Sequence, residues 1–298
     1  MFPLEAEFIA QKAAEHRNSR TWAGMNTASD LVGGDSLGSR VAAIFLARAK
    51  GDGMKNAIGS PQIADSLAAV AQTNFGWHWE SQELPKRPGM LPVFGKVKPW
   101  CLSDITVVRP GPPPALTSAA FQVAADELLN LSENLTDEQR RIAVYWGDGI
   151  DTYAPPGHWN RTAAELIVEK KMNPIRTVRT LAYLNMAVED AGISCWDTKY
   201  FYHYPRPSQA IAGFKSLLGL PNFPSYTSGH STFSGAAAAV LGHIFPDHAS
   251  EMNALAKEAS ESRIYGGIHY RFDCEVGLTV GQSIGNYAVV IAQADGAE

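Results

Sequence analysis

The sequence predicts an all-α protein, a helical bundle that follows a loop-rich N-terminal extension. Three observations lead to this fold class. Apolar residues recur at spacings of three and four along most of the chain after residue 117, which is typical of amphipathic helices. No run of alternating apolar and polar residues is long enough to compete as a strand. A proline-rich connector at residues 109–114 separates the periodic part from a less regular first third.

The N-terminal segment, residues 1–111, shows weak helical periodicity. It contains glycine-rich turns at 33–34 and 51–53 and an aromatic patch of Trp77, Trp79 and Trp100. We expect this segment to be irregular and to pack on a helical catalytic core at residues 112–298. A chain of 298 residues can form a single domain, and the extension could serve as a lid or as the surface of a homo-oligomer.

The helices of the core are predicted one by one. The first follows Thr117 and places Phe121, Leu128 and Leu131 on one face. The second opens at a capping box, Thr136 with Gln139, and is predicted to run to residue 146, before the Gly-Asp-Gly of 147–149. The remaining patterns predict helices at 160–171, 174–200, 232–245, 249–264 and 275–294.

Charge and composition exclude several classes of function. Lys and Arg number 25 and Asp and Glu 30, a net charge of −5 without any basic run, so nucleic acid is not an expected partner. Three scattered cysteines form no C-x-x-C pair. The spacing of zinc ligands is also not found among the histidines His16, His78, His203, His243 and His248. Residues 1–20 do not resemble a signal peptide, and the polar residues within 276–294 indicate a buried helix rather than a transmembrane segment.

Two segments combine a charged or proton-transferring residue with a rigid turn. Lys199 and Arg206 are seven residues apart near the end of a predicted helix, a spacing that would put both cations on one side. Ser228, Gly229 and His230 lead into the alanine-rich helix, whose N-terminal N–H groups favour an anion. There Gly229 allows close approach of the backbone, and His230 can exchange protons with the bound group.

The third segment contains Arg263, His269 and Asp273. In a helix, His269 and Asp273 would be four residues apart on one face, so the carboxylate could accept from one ring nitrogen and leave the other free as a nucleophile or metal ligand. Arg263 adds a planar fork for oxyanion oxygens. Each segment alone has an ordinary structural interpretation as a helix end, a cap or a satisfied His–Asp pair. Together they predict one anion-binding site.

The three segments follow the patterns Lys-x6-Arg-Pro, Pro-Ser-Gly-His and Ser-Arg-x5-His-x3-Asp. In these patterns the chain resembles the superfamily of vanadium-dependent haloperoxidases and type 2 phosphatidic acid phosphatases, which includes bacterial acid phosphatases. The first and third patterns match fully. The second has Thr227 where proline is usual, with Ser-Gly-His intact. The resemblance covers the chain from about residue 112 onward.

The resemblance implies an all-helical bundle that binds vanadate, or phosphate in the same site. His269 would be the vanadium ligand of a peroxidase or the phosphorylated nucleophile of a phosphatase, His230 the general acid–base, and Asp273 the residue that orients His269. The oxyanion would be held by Lys199, Arg206, Ser228, Gly229 and Arg263.

Two further features resemble the bacterial haloperoxidase branch. Trp196 and Phe223 match aromatic residues that line the halide side in that branch, although core packing is the commoner use of such residues. The stretches at 145–149 and 155–160 are also similar to bacterial haloperoxidases, which implies that Asp148 hydrogen-bonds His230. The alternative is that Asp148 only ends a helix.

The expected function is therefore a vanadate-dependent haloperoxidase that oxidises halide with hydrogen peroxide. The alternatives are a soluble acid phosphatase that hydrolyses phosphomonoesters through a phosphohistidine and a non-catalytic anion-binding protein. Residues 34–37 also match the nucleophile block of Gly-Asp-Ser-Leu hydrolases, but no apolar strand precedes them and no Asp-x-x-His pair occurs near the C-terminus. Relatives are often periplasmic or secreted, but no signal peptide is visible in this sequence, so the sequence leaves the location open.

Overall fold

A computed structural model describes residues 3–149 and 152–297. Within these ranges the chain forms helices, turns and loops and no β-strand, which confirms the predicted all-α class. No helix of this described part is long and apolar enough to cross a membrane. The chain divides into two compact units, Met1–Asp52 and Gly53–Glu298, whereas the sequence predicted one domain with a change of character at residue 111.

The first unit contains two helices, α1 (Ala6–Trp22) and α2 (Ala28–Gly51), and none of their residues is buried. The prediction of an irregular segment is wrong here. A capping box starts α2, because the Thr27 hydroxyl accepts from the Asp30 N–H while the Asp30 carboxylate accepts from the Thr27 N–H. The capping box and the apolar residues that follow it favour a helix. The sequence analysis instead gave most weight to the glycines, which it read as turns.

The second unit begins with α3 (Pro61–Phe75), followed by a stretch that is largely irregular, as predicted, up to residue 118. That stretch is bound to the long helix α7 (Pro174–Tyr202). The backbone N–H groups of Trp100 and Cys101 donate to the Asp190 carboxylate at 2.7 Å, and Arg109 donates to the Asp197 carboxylate at 2.6 Å. Buried carboxylates on α7 thus hold this irregular stretch in place at residues 100, 101 and 109.

A four-residue helix at Pro207–Ala210 was not predicted, and the other helices follow the predicted pattern within a few residues at most ends. The largest difference is that α6 begins six residues before the predicted start, with prolines in its first turn. The bounds are α4 (Ala119–Asn134), α5 (Asp137–Tyr145), α6 (Ala154–Glu169), α8 (Pro207–Ala210), α9 (Gly229–Ile244), α10 (Ala249–Tyr265) and α11 (Arg271–Ala294).

Helix α9 lies at the centre of the second unit, in contact with α6, α7, α10 and α11. Its contact with α11 is made by glycines. A Cβ at Gly235 would lie 2.5 Å from the Leu278 carbonyl oxygen, and one at Gly285 would lie 2.6 Å from the Ala236 carbonyl oxygen. Backbone therefore packs on backbone, which fixes the N-terminus of α9 against α11.

Two helical arguments of the sequence analysis are wrong. Helix α7 ends at Tyr202 and His203 adopts φ 51°, so Lys199 and Arg206 do not share a helix. His269 precedes α11, whose first residue is Arg271, so His269 and Asp273 are not four apart within one helix. In both cases the side chains converge through tertiary packing instead.

Candidate active site

Five segments of the second unit bring the predicted site residues together. Lys199 comes from the last turn of α7, Arg206 from the residue before α8, and Arg263 from the last turn of α10. Ser228 caps α9, and the segment into α11 supplies the His–Asp pair. The side chains or backbones of all these residues are buried: Lys199, Arg206, Ser228, Gly229, Arg263, His269 and Asp273.

The Lys199 ammonium group is bound to the loop that precedes α9. Its Nζ donates to the carbonyl oxygens of Pro224 at 2.8 Å, Ser225 at 2.6 Å and Thr227 at 2.5 Å. Burial lowers the pKa of Lys199 below its ordinary value. Thr227, which replaces the usual proline, thus supplies a backbone acceptor. Lys199 shapes this loop and places a positive charge beside it.

Among the described residues, two of the three nitrogens of the Arg206 guanidinium have hydrogen-bond partners and the third has none. Its Nε donates to the Phe223 carbonyl at 3.0 Å, and Nη1 donates to the Ile268 carbonyl at 2.7 Å and lies 3.0 Å from His269 Nε2. Nη2 is buried and has no hydrogen-bond partner among the described residues. Burial lowers the pKa of Arg206 to about 10. A buried donor of this kind fits an oxyanion.

His269 is oriented from behind by a carboxylate. Its Nδ1 lies 2.8 Å from Asp273 Oδ2, which also accepts from the Ser225 hydroxyl at 2.5 Å. Burial, together with the charges of Arg206 and Lys199, lowers the pKa of His269 well below its ordinary value. The ring is therefore neutral, with its Nδ1 proton toward Asp273 and its Nε2 lone pair toward Arg206 Nη1, 3.0 Å away.

The N-terminus of α9 and Arg263 complete the positive surroundings. The Ser228 hydroxyl caps α9 by accepting from the Ser231 N–H at 3.3 Å, and Gly229 is the first helical residue. Arg263 Nε donates to the Ser262 hydroxyl at 2.9 Å and Nη2 donates to the Ala143 carbonyl at 3.1 Å. Burial lowers the pKa of Arg263 to about 10. The helix dipole adds to this positive potential.

His230 and Asp148 face each other at the edge of the site. The distance from His230 Nε2 to Asp148 Oδ2 is 3.6 Å, an ion-pair distance slightly beyond a hydrogen bond. Burial and the charge of Arg263 lower the pKa of His230 to about 4, against the opposing effect of Asp148. For Asp148, burial alone would raise the pKa, but the hydrogen bond from His158 and the nearby His230 lower it to about 2.

Trp196 and Phe223 form an aromatic wall beside the cations. Their ring centroids are 4.9 Å apart, and the Trp196 Nε1 donates to the Met90 carbonyl at 3.0 Å. The Phe223 ring centroid lies 5.1 Å from Lys199 Nζ and 5.1 Å from Arg206 Cζ. One aromatic face thus contacts two cations of the site.

Two residues with direct roles in this hydrogen-bond network were missed. Ser225 shares the Asp273 carboxylate with His269, and His158 donates to Asp148. His158 lies within the stretch 155–160 that the sequence analysis singled out, and Ser225 lies three residues before Ser228. The only sequence signal was this position in the chain, because neither has a recognisable spacing to its partner.

The site contains the chemistry that a tetrahedral oxyanion requires. Lys199, Arg206 and Arg263 bring three buried cations together, and the buried carboxylate of Asp273 is engaged by His269 and Ser225. The free Arg206 Nη2 and the α9 N-terminus are hydrogen-bond donors, and the His269 Nε2 is an electron-pair donor. These residues therefore fit phosphate or vanadate.

The chain is similar to several known proteins. Residues 180–296 match the model of the PAP2 superfamily. A bacterial vanadium-dependent iodoperoxidase has a similar structure, with a TM-score of 0.66 and 30% identity over 72% of this chain and 59% of that chain. A bacterial vanadium-dependent chloroperoxidase shares the fold, with a TM-score of 0.60, 17% identity, and coverage of 69% of this chain and 56% of that one.

Two curated relatives match shorter parts. A vanadium-dependent bromoperoxidase of Ascophyllum nodosum is 35% identical over 22% of this chain and 17% of its own length. An acid phosphatase of Zymomonas mobilis is 32% identical over 29% of this chain and 32% of its own length. The chain thus spans less than a third of either relative. The resemblance seen in the three sequence patterns is confirmed, since the residues that carry them, from Lys199 to Asp273, lie within the segment that matches the PAP2 superfamily model.

Proposed function

We propose that the chain is a vanadate-dependent haloperoxidase that oxidises halide with hydrogen peroxide. The observation that carries the proposal is the contact of the Phe223 ring with both Lys199 and Arg206, with Trp196 packed beside it. An apolar wall next to buried cations favours a partly desolvated halide and the small, neutral hydrogen peroxide molecule. It offers few partners for the polar alcohol portion of many phosphomonoesters.

The residues divide into three tasks around the oxyanion. His269 would coordinate the vanadium through Nε2, with its ring held by Asp273. The N–H groups of Arg206, Arg263 and the α9 N-terminus, at Ser228 and Gly229, would bind the oxygens. Lys199 would act through its charge and by holding the 224–227 loop, because its Nζ already donates to three carbonyls. When bound, vanadate supplies a Lewis acid that activates hydrogen peroxide.

His230 would move the proton. With a pKa lowered to about 4 by burial and by Arg263, it is neutral near pH 7 and can accept a proton from incoming hydrogen peroxide. The Asp148 carboxylate, 3.6 Å away, stabilises the imidazolium that results. The same proton can then be returned when the oxidised halide leaves as hypohalous acid.

The phosphatase is the second candidate, and the similarity to an acid phosphatase favours it. In that reaction His269 Nε2 would attack phosphorus and the P–O bond to the alcohol would break. His230 would protonate the leaving alcohol, and water would then hydrolyse the phosphohistidine to free phosphate. A non-catalytic protein that binds the anion is the third candidate.

Paired assays on one metal-stripped preparation test the proposal. We expect peroxide-dependent bromination or iodination that appears on adding orthovanadate and is lost in His269→Ala. Hydrolysis of a phosphomonoester that orthovanadate abolishes would instead establish the phosphatase. If neither assay shows turnover and the protein still binds the anion, the result would support the non-catalytic anion-binding protein.

A variant of the aromatic wall sharpens the choice. Trp196→Ala removes a ring that packs on Phe223 and whose Nε1 donates to the Met90 carbonyl. We expect kcat/KM for halide to fall by roughly 10-fold, about 1.4 kcal/mol, with little effect on inorganic phosphate binding. An equal loss in both measurements would count against a halide role for the wall.

A further inference from the structure

His158 is a buried histidine that the proposed reaction does not use. Its side chain is 4% exposed and is enclosed by aromatic rings. The ring stacks on Trp146 with centroids 4.1 Å apart and an angle of 18°. The rings of Tyr145 and Tyr153 approach it edge-on at 5.1 Å and 5.2 Å. The orientation of the imidazole is therefore fixed by packing.

Both ring nitrogens of His158 have partners. Nδ1 lies 3.1 Å from Asp148 Oδ1 and 3.3 Å from Oδ2, and Nε2 lies 3.2 Å from the Tyr145 hydroxyl. A carboxylate only accepts hydrogen bonds, so Nδ1 carries the proton. Nε2 is within hydrogen-bond distance of the Tyr145 hydroxyl, so this second contact holds the ring in the same orientation.

Asp148 consequently faces two histidines with one carboxylate. Both of its oxygens are within hydrogen-bond distance of His158 Nδ1, whereas Oδ2 remains 3.6 Å from His230 Nε2. That His230 nitrogen is buried and has no hydrogen-bond partner within the described ranges. The backbone of Asp148 has φ 43°, and its side chain is 3% exposed, so few other orientations are open to it.

We propose that His158 is a positioning residue that holds the Asp148 carboxylate just out of hydrogen-bond reach of His230. The proposal rests on the proposed function only for its catalytic meaning. A full hydrogen bond to a carboxylate would make His230 a stronger base and a weaker acid. By limiting that bond, His158 keeps His230 able both to accept a proton and to return it.

The other groups that face His230 do not set how strongly a carboxylate bonds to it. Arg263 of α10 repels a proton on His230, and the Trp146 carbonyl, from the segment after α5, favours one. His269 faces it across the site. Among these groups Asp148 is the only carboxylate, and His158 is the histidine that donates to it.

The direct test is His158→Phe, which keeps an aromatic ring against Trp146 and removes the N–H donor. The readout is the ¹⁵N and ring-proton NMR spectrum of His230 in anion-free protein at pH 7, assigned with His230→Gln. We expect the His230 Nε2 resonance to shift and a downfield N–H proton to appear, because Asp148 becomes free to bond to His230. An unchanged His230 spectrum in the folded variant would overturn the proposal.

Three matched variants separate positioning from a general structural effect. His158→Asn retains an N–H near the Nδ1 position and should restore the wild-type His230 spectrum. In an Asp148→Asn background, His158→Phe should leave His230 unchanged, and a shift there would contradict the proposal. Tyr145 is 45% exposed, so Tyr145→Phe should fold even if His158→Phe does not. It should shift His230 in the same direction by a smaller amount, and no shift would count against the proposal.

The same variants in the enzyme assays have a separate meaning. If vanadate-dependent turnover is found, His158→Phe should lower kcat with little change in the KM for hydrogen peroxide. If neither assay is positive, the proposed function fails, whereas the NMR result still decides whether His158 positions Asp148.

Discussion

Asp273 Oδ2 lies 2.8 Å from His269 Nδ1, and the pair is fully enclosed in the second unit. The same oxygen accepts the Ser225 hydroxyl hydrogen bond at 2.5 Å. Burial raises the pKa of Asp273 above its ordinary value, with Ser225, Lys199 and Arg206 opposing that effect. The geometry of this one oxygen therefore decides which nitrogen of His269 is available to an anion.

Asp273→Asn should weaken anion binding, because the amide does not hold the Nδ1 proton as a carboxylate does. We expect the affinity for orthovanadate to fall by roughly 10-fold to 100-fold. Ser225→Ala should cost less, since the His269 contact remains. Isothermal titration measures both, and the exposed Asp126→Asn serves as the control. An unchanged orthovanadate affinity in Asp273→Asn would show that Asp273 does not orient His269 for anion binding.

Phosphate or orthovanadate should stabilise the fold. Lys199, Arg206 and Arg263 are buried together, and an anion that binds only the folded state relieves their repulsion. At about 100 times its Kd, such a ligand adds about 2.7 kcal/mol and should raise the Tm by about 5 °C. Differential scanning calorimetry at constant ionic strength, with chloride as control, measures the shift. Arg206→Ala should lose most of it, and an equal shift in that variant would place binding elsewhere.

Acidification should destabilise the anion-free protein partly through His230. Its folded pKa, about 4, lies below the unfolded value near 6.5, so between these pH values the unfolded state binds more protons. His230→Gln should therefore gain stability relative to wild type as the pH falls, by up to about 1.4 kcal/mol per pH unit. Urea denaturation between pH 4.5 and 7 measures the difference.

His248→Gln is the matched control for this pH dependence. The pKa of His248 is raised, chiefly by its hydrogen bond to Glu251, so its contribution has the opposite sign. Removing His248 should cost stability at low pH. A pH-independent difference between wild type and His230→Gln would contradict a lowered pKa for His230.

Gly281→Ala should destabilise the helix pair α9 and α11. A Cβ at this position would overlap the Thr232 carbonyl oxygen, so the helices must separate at a cost of about 2 kcal/mol. Gly34→Ala in α2 meets no atom within 4 Å and should be neutral or stabilising by up to about 1 kcal/mol. Urea denaturation compares the two, and equal effects would argue against the close contact.

The local signals in the sequence predicted most helices well. The Thr136–Gln139 capping box starts α5, and the face with Phe121 and Leu128 is buried in α4. The corresponding box at Thr27 and Asp30 was equally available, but the glycines that follow it were taken as turns. Glycine allows turns without requiring them, so composition alone could not decide.

The site was predictable as a set of residues but not as a geometry. The convergence of Lys199, Arg206 and His269 depends on loops whose paths no local periodicity specifies. The same holds for His158 of α6, which contacts Asp148 although ten residues separate them and no sequence pattern links the two. The roles assigned to the site residues remain predictions that the experiments above address.

The glycine contact between α9 and α11 also bears on how the protein can be altered. In most cores a substitution is absorbed by neighbouring side chains that repack, but Gly235 and Gly285 meet main-chain atoms directly. No rotamer there can adjust. We therefore expect libraries that diversify this pair of helices to yield few folded variants, whereas the aromatic wall, built from side chains, is the part in which selection can find new specificity.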